Sequence, residues 1–195
     1  MNTGNGMTGM TIQELTVGIV QTRCYILGRE DGEECVVIDP GDEAARIRKA
    51  AGGRKIAAIL LTHGHFDHIG AVRDLMDADT RLVIHELDAP MLADPVLNAG
   101  AGLLGRSITA PEATDKVREG DELELAGLKI RVLHTPGHTP GSVCWLIEGE
   151  LFTGDTIFDY GWGRTDLPGG SEEQMAASLR RLAPLVRQYP MHAGH

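Results

Sequence analysis

The chain has 195 residues, 42% of them hydrophobic and 24% charged, which suffices for one domain with a buried core and leaves no room for a second full one. Eighteen Lys and Arg against 28 Asp and Glu give a formal net charge of -10, which argues against nucleic acid and anionic membrane surfaces as partners. The longest apolar run, residues 56–61, falls far short of the roughly 18 residues a spanning helix needs, so a soluble protein is expected.

The opening MNTGNGMTGM has neither a basic nor an apolar region of the secretory kind; residues 1–10 read as a disordered leader and 11–195 as the domain. Two or three strands are expected from Thr11 to Asp39, in ELTVGIV, CYILGR and ECVVID, the last stopped by Pro40-Gly41. Asp42 stands at an N-cap position ahead of EAARIRKAA, and Gly52-Gly53 closes that helix. Residues 55–61 read as a buried strand, 70–76 as a short helix, 81–84 as a strand and 86–92 as another helix. The chain holds 25 glycines, well above the usual ~7%, and the NAGAGLLG segment at 98–105 reads as a mobile loop.

Further strands are expected around 121–125, 128–133, 142–148 and 151–153, separated by GD, AG, TPGHTPG and EGE turn signals. A final helix opens on Ser171 with Gln174 three residues on, and its stripe is Met175, Leu179, Leu182, Leu185 and Val186. Two sheets packed face to face with helices outside suit this order, although other mixed α/β arrangements fit the same periodicity. Cys24, Cys35 and Cys144 are odd in number, widely spaced and set in apolar segments. They read as reduced core residues, which points to the cytoplasm.

The chemistry concentrates in Leu61-Thr62-His63-Gly64-His65-Phe66-Asp67-His68-Ile69-Gly70, three imidazoles and a carboxylate directly after a buried strand. Packed without a cation, these groups would leave several buried polar atoms wanting partners. In an extended loop His63 and His65 point to one side and can grip one ion, while Asp67 and His68 can turn toward a second. Imidazole with carboxylate suits zinc or iron better than magnesium or calcium.

This motif resembles that of the metallo-β-lactamase superfamily, and the resemblance continues in the family's order. His134-Thr135-Pro136-Gly137-His138 matches the second histidine motif, Leu151-Phe152-Thr153-Gly154-Asp155 the aspartate motif, and Ala193-Gly194-His195 the last histidine motif. The resemblance implies a single-domain, four-layer αββα sandwich. It also implies two divalent transition-metal ions, zinc foremost with iron or manganese possible. One would take His63, His65 and His138, the other Asp67, His68 and His195, with Asp155 and a water bridging. His134 is expected in a supporting role, His85 at the surface or pocket rim, and His192 as a substitute for His195 only if the register slips. Because family members continue past this point, either the chain is truncated after His195 or that histidine is poorly held.

Within the family, His65 stands where flavodiiron proteins carry a glutamate, His68 is missing from typical β-lactamases, and nuclease branches add segments for which this chain has no room. GRTDLPGG, 163–170, resembles the short bacterial glyoxalase II-like hydrolases. This implies cleavage of a small-molecule thioester of a 2-hydroxy acid by a metal-bridging hydroxide that Asp67 helps orient. Arg164 would fix a substrate carboxylate or pair with Asp166 or Asp159, and Tyr160 and Trp162 would be pocket walls or packing residues. The glutathione-binding helical domain of full-length glyoxalase II is missing, so the thiol half is expected to touch only an open mouth. A mono-iron persulfide dioxygenase and a non-catalytic metal-binding module are the alternatives. Oligomeric state is not legible.

Overall fold

The computed structural model describes residues 9–195, so most of the expected leader lies outside the described residues. Its last position, Met10, already opens the first strand. Strands β1 (Met10–Val17), β2 (Thr22–Arg29) and β3 (Glu34–Ile38) pair antiparallel, and β4 (Lys55–Leu60), β5 (Arg81–His85) and β6 (Asp115–Val117) extend the sheet in parallel. In the second sheet β7 (Glu122–Leu125), β8 (Leu128–His134), β9 (Val143–Ile147) and β10 (Glu150–Gly154) form an antiparallel meander. Strand β11 (Met191–Ala193) then adds parallel to β10.

Alternation along the strands creates the layers. In β2, Tyr25 and Leu27 face the second sheet and pack with Val36, Leu60, Trp145 and Phe152. Cys24 and Ile26 point the other way, toward Ile47, Val72 and Leu75 of the helices outside. On the far side of the second sheet Leu133, Cys144 and Leu151 pack against Leu182, Leu185 and Val186. The result is the expected four-layer αββα arrangement in a single domain. All three cysteines are free and buried. Among the described residues no helix is long and apolar enough to cross a membrane.

Several local expectations are corrected. Strand β1 stops at Val17, and the rest of GIV belongs to a turn in which Gly18 has φ +70°. Asp42 does not cap α1 (Ala44–Ala50): Glu43, left-handed at φ 57°, holds that position, and the Asp42 carboxylate accepts its N–H at 2.6 Å. In place of the helix expected over 70–76 stand two single turns, α2 (Phe66–Ile69) and α3 (Val72–Leu75), and only Ala89–Leu92 of the expected 86–92 helix is helical, as a single 3-10 turn. The segment read as a mobile loop forms α4 (Gly100–Leu104), because buried Asn98 accepts from Gly100 N–H and donates to the carbonyls of Met91 and Ile108. The last stripe is divided between α5 (Glu172–Leu182) and α6 (Leu185–Gln188) around Pro184, while Ser171 caps α5 as expected. Strands β6 and β11, three residues each, were not foreseen.

Candidate metal centre

The seven expected side chains meet at one end of the paired sheets. The loop after β4 carries His63 and His65, and the next residues form α2 (Phe66–Ile69), not the extended loop expected, with Asp67 and His68 on its single turn. The β8–β9 loop brings His138, the end of β10 brings Asp155, and the residues after β11 bring His195. Three overlapping sets of donors result: His63, His65 and His138; His63, His68 and Asp155; and Asp67, His68 and His195, each with one ligand atom per residue within 4.8 Å of the others.

Asp155 is the link between them. Its Oδ1 lies 3.5 Å from His68 Nε2, and its Oδ2 lies 3.5 Å from His138 Nε2 and 3.4 Å from His195 Nε2. Asp67 Oδ2 stands 3.4 Å from His68 Nε2 and 3.2 Å from His195 Nε2. His65 Nδ1 and His138 Nε2 are 2.8 Å apart. Meanwhile His63 Nε2, His65 Nε2, His68 Nε2 and Asp155 Oδ1 are buried without a hydrogen-bond partner. Buried polar atoms are almost always satisfied. Four that converge on one another fit a cation that draws on borderline nitrogen and oxygen donors.

Residues the sequence reading did not single out hold these donors in place. Buried Asp39, left-handed at φ 49° at the end of β3, accepts Thr62 N–H and hydroxyl at 2.8 and 2.6 Å, and its Oδ2 lies 3.0 Å from His68 Nδ1. Thr62 Oγ1 is in turn 3.1 Å from His63 Nδ1. Thr22 donates to Asp67 Oδ2 at 3.0 Å. Buried Asp88 joins the two histidine loops: it accepts Gly64 N–H at 3.1 Å, Gly141 N–H at 2.6 Å and the Thr139 hydroxyl at 2.6 Å. A short aspartate after a β-branched run, or within a helical turn, carries no spacing signal that separates it from a cap. Only the fold reveals these roles.

His195 is not loosely held. The Tyr25 hydroxyl donates to Ala193 O at 2.6 Å, Arg23 N–H to Gly194 O at 2.7 Å, and Gly194 N–H to Gly154 O at 2.8 Å. A side chain on Gly194 would collide with Asp155 Oδ1, so glycine lets this loop close on the bridging carboxylate. His192 is no substitute: it stacks on Phe152, and its Nε2 lies 2.8 Å from Glu150. His134 supports the second loop, with Nε2 2.9 Å from Pro140 O. His85 corrects the expectation of a surface or rim residue, for it is 3% exposed and stacked on His134 with ring centres 4.1 Å apart.

Burial divides the electrostatics in two. It pushes His63 well below its ordinary pKa, helped by His68 and His138, and brings His65 down to about 3. Burial also opposes charge on His68, yet Asp67, Asp155 and Asp39 outweigh it and hold that imidazole well above its usual range. For His195, burial is outweighed by Asp155 and Asp67, which raise it to about 9. Burial works against ionisation of both Asp67 and Asp155, but His68 and His195 keep both below the carboxylate range.

The loop after Asp155 wraps the same end. His138 Nδ1 lies 2.7 Å from Arg164 O, and the Phe158 ring sits edge-on to His195 at 6.1 Å. Arg164 gives its guanidinium to Asp166 in a two-pronged pair at 2.6 and 2.7 Å, while Asp159 lies 3.5 Å from Arg23. Tyr160 is 97% exposed and Trp162 62% exposed on this loop.

Residues 17–188 match the model of the metallo-beta-lactamase superfamily. The chain is 33% identical to the hydroxyacylglutathione hydrolase GloC of Haemophilus influenzae, over 95% of this chain and 91% of that protein. Other curated relatives of similar identity have no assigned activity. The crystal structure of the BLEG-1 B3 metallo-beta-lactamase matches with a TM-score of 0.88 at 36% identity, covering 95% of this chain and 91% of that one. TTHA1623, solved in a di-iron-bound form, matches with a TM-score of 0.81 at 37% identity, covering 94% and 91%. The chain belongs to the metallo-beta-lactamase superfamily, a family of metal-dependent hydrolases.

Proposed function

We propose that this protein is a binuclear metal-dependent hydrolase that cleaves a thioester of a 2-hydroxy acid. The observation that carries the reading is the pair of donor sets joined through Asp155. His63, His65 and His138 would hold one divalent cation, Asp67, His68 and His195 the other, and Asp155 would touch both. When bound, such a pair supplies Lewis acidity and a water acidic enough to ionise near neutral pH. Zinc is the metal we favour; the di-iron form of TTHA1623 makes iron the competing choice.

The protein's own groups do the rest. Asp67, fixed by Thr22, orients the attacking water and takes part in moving its proton. Asp39 and Thr62 keep the His68 and His63 rings turned inward. The loop from Asp155 to Arg164 forms one wall, with Tyr160, Trp162 and Arg164 at its rim for the acyl half. Similarity to GloC and the GRTDLPGG segment support the thioester over other carbonyl substrates.

Metal analysis of protein purified without added metal should give two ions per chain. D-lactoyl thioesters should be hydrolysed, and Asp67→Ala and His68→Ala should lower kcat by several orders of magnitude. One iron per chain with oxygen uptake on glutathione persulfide would make the protein a dioxygenase instead. Tight metal binding without turnover would make it a binding module.

A further inference from the structure

We infer that the cleft between the β1–β2 turn and residues 104–108 is a subsite for the thiol half of the substrate, where Arg106 anchors a carboxylate. The inference rests on the thioester reading above and names the chemistry of the half that reading leaves open. The cleft reaches Thr22 and Asp67, which are hydrogen-bonded to each other at the donor cluster, so a ligand in it abuts the reacting centre. Its walls mix apolar and polar groups. Ile19 and Val20 stand 82% and 43% exposed on the turn, and Leu104 and Ile108 line the cleft with them. Bulky aliphatic side chains held in water on a two-sided cleft suit the methylene arm of a thiol.

Arg106 is the cation of this cleft, and among the described residues it has no carboxylate partner. Other arginines, among them Arg23, Arg29, Arg81 and Arg164, are already taken up by acids. Two acids line the cleft: Asp67, at the donor cluster, accepts the Thr22 hydroxyl, and Asp42, beside Gly18 on the turn side, accepts Glu43 N–H at 2.6 Å. A free guanidinium presents a fork that fits a carboxylate. At about 90 Å³ the cleft offers room for a small arm beside Arg106.

The test uses the metal-loaded protein with D-lactoyl thioesters of three thiols: N-acetylcysteine with one carboxylate, neutral N-acetylcysteamine, and phosphopantetheine with a phosphate. The readout is the ratio of kcat/KM between the N-acetylcysteine and N-acetylcysteamine thioesters. Arg106→Leu should lower that ratio about 10- to 100-fold, the loss of one charge-assisted hydrogen bond. Arg106→Gln should shift it the same way, which guards against a folding defect in the leucine variant. In the parent, KM for the carboxylate thioester should rise with salt while that of the neutral one does not. A ratio unchanged in both variants overturns the subsite and leaves the hydrolase reading standing. A larger fall for the phosphate thioester overturns the choice of carboxylate. No turnover of any thioester by the parent removes the hydrolase reading and the subsite together.

Discussion

Asp88→Ala should damage both stability and metal binding, though Asp88 belongs to none of the three donor sets. Its carboxylate is fully buried and accepts three hydrogen bonds, from Gly64 N–H, Gly141 N–H and the Thr139 hydroxyl. Truncation strands all three donors, and each buried donor left unpaired costs about 1–3 kcal/mol. Part of that is recovered, because burial pushes the Asp88 carboxyl above its ordinary pKa and the variant no longer carries this charge. A net loss of about 3–5 kcal/mol follows, the range for breaking a buried charged network. Against a total of about 5–15 kcal/mol, that removes a large share of the stability. Urea unfolding of the chelated protein reads this term alone. Metal titration reads the second effect: the loops carrying His65 and His138 both hang on Asp88, so the His63, His65 and His138 set loses alignment and affinity. A variant within about 0.5 kcal/mol of the parent, the ordinary range for surface changes, and with unchanged metal affinity would refute this account.

Asp155→Asn should lower the affinity of both metal ions together, because its carboxylate lies within 3.5 Å of His68, His138 and His195. Loss of one ion only, seen by metal analysis, would contradict the bridging role. Tyr25→Phe should cost about 1–3 kcal/mol by leaving Ala193 O unpaired. It should also weaken the ion held by His195 more than the other, measurable by competitive chelation. Metal binding should release protons unevenly. His65 sits near pKa 3 and His63 well below its usual value, so both are neutral at pH 7, whereas His195 near 9 and the raised His68 carry protons that a cation must displace. The second equivalent should therefore bind more weakly as pH falls below about 9. Calorimetry in buffers of different ionisation enthalpy detects those protons, and their absence would contradict the assignment.

Residue types declared the chemistry of this site more clearly than its geometry. The cluster of His63, His65, Asp67 and His68 is dense enough to be read as a cation site without any fold, but its backbone was misjudged. The expected extended loop is a helical turn from Phe66, which places Asp67 and His68 beside Asp155 and His195. A single turn has too few residues to display a helical period. Strand β11 escaped notice for the same reason, since three residues show no alternation, and it is this strand that separates His192 from His195. The glycine-rich 98–105 segment misled because composition weighs each residue alone, while Asn98 organises it through three hydrogen bonds to residues on either side. The layered core was easier to read: alternation in β8 and the stripe of α5 are long enough to state which face is buried, and the unbroken apolar run in β2 marks a strand covered on both faces.

The way Asp155 draws donors from both sheets bears on the order in which the molecule assembles. Asp67 and His68 belong to the first sheet's connections, and Asp155 and His195 to the second's, so the contacts among them are among the most distant in sequence. Contacts of that kind form after the local hairpins, when the loop-closure entropy has been met by packing of the two sheets. A cation arriving early finds at most the histidines of one loop. Metal then acts as a latch that closes on a finished sandwich, and its main kinetic effect should fall on the rate of unfolding, with little on the rate of folding.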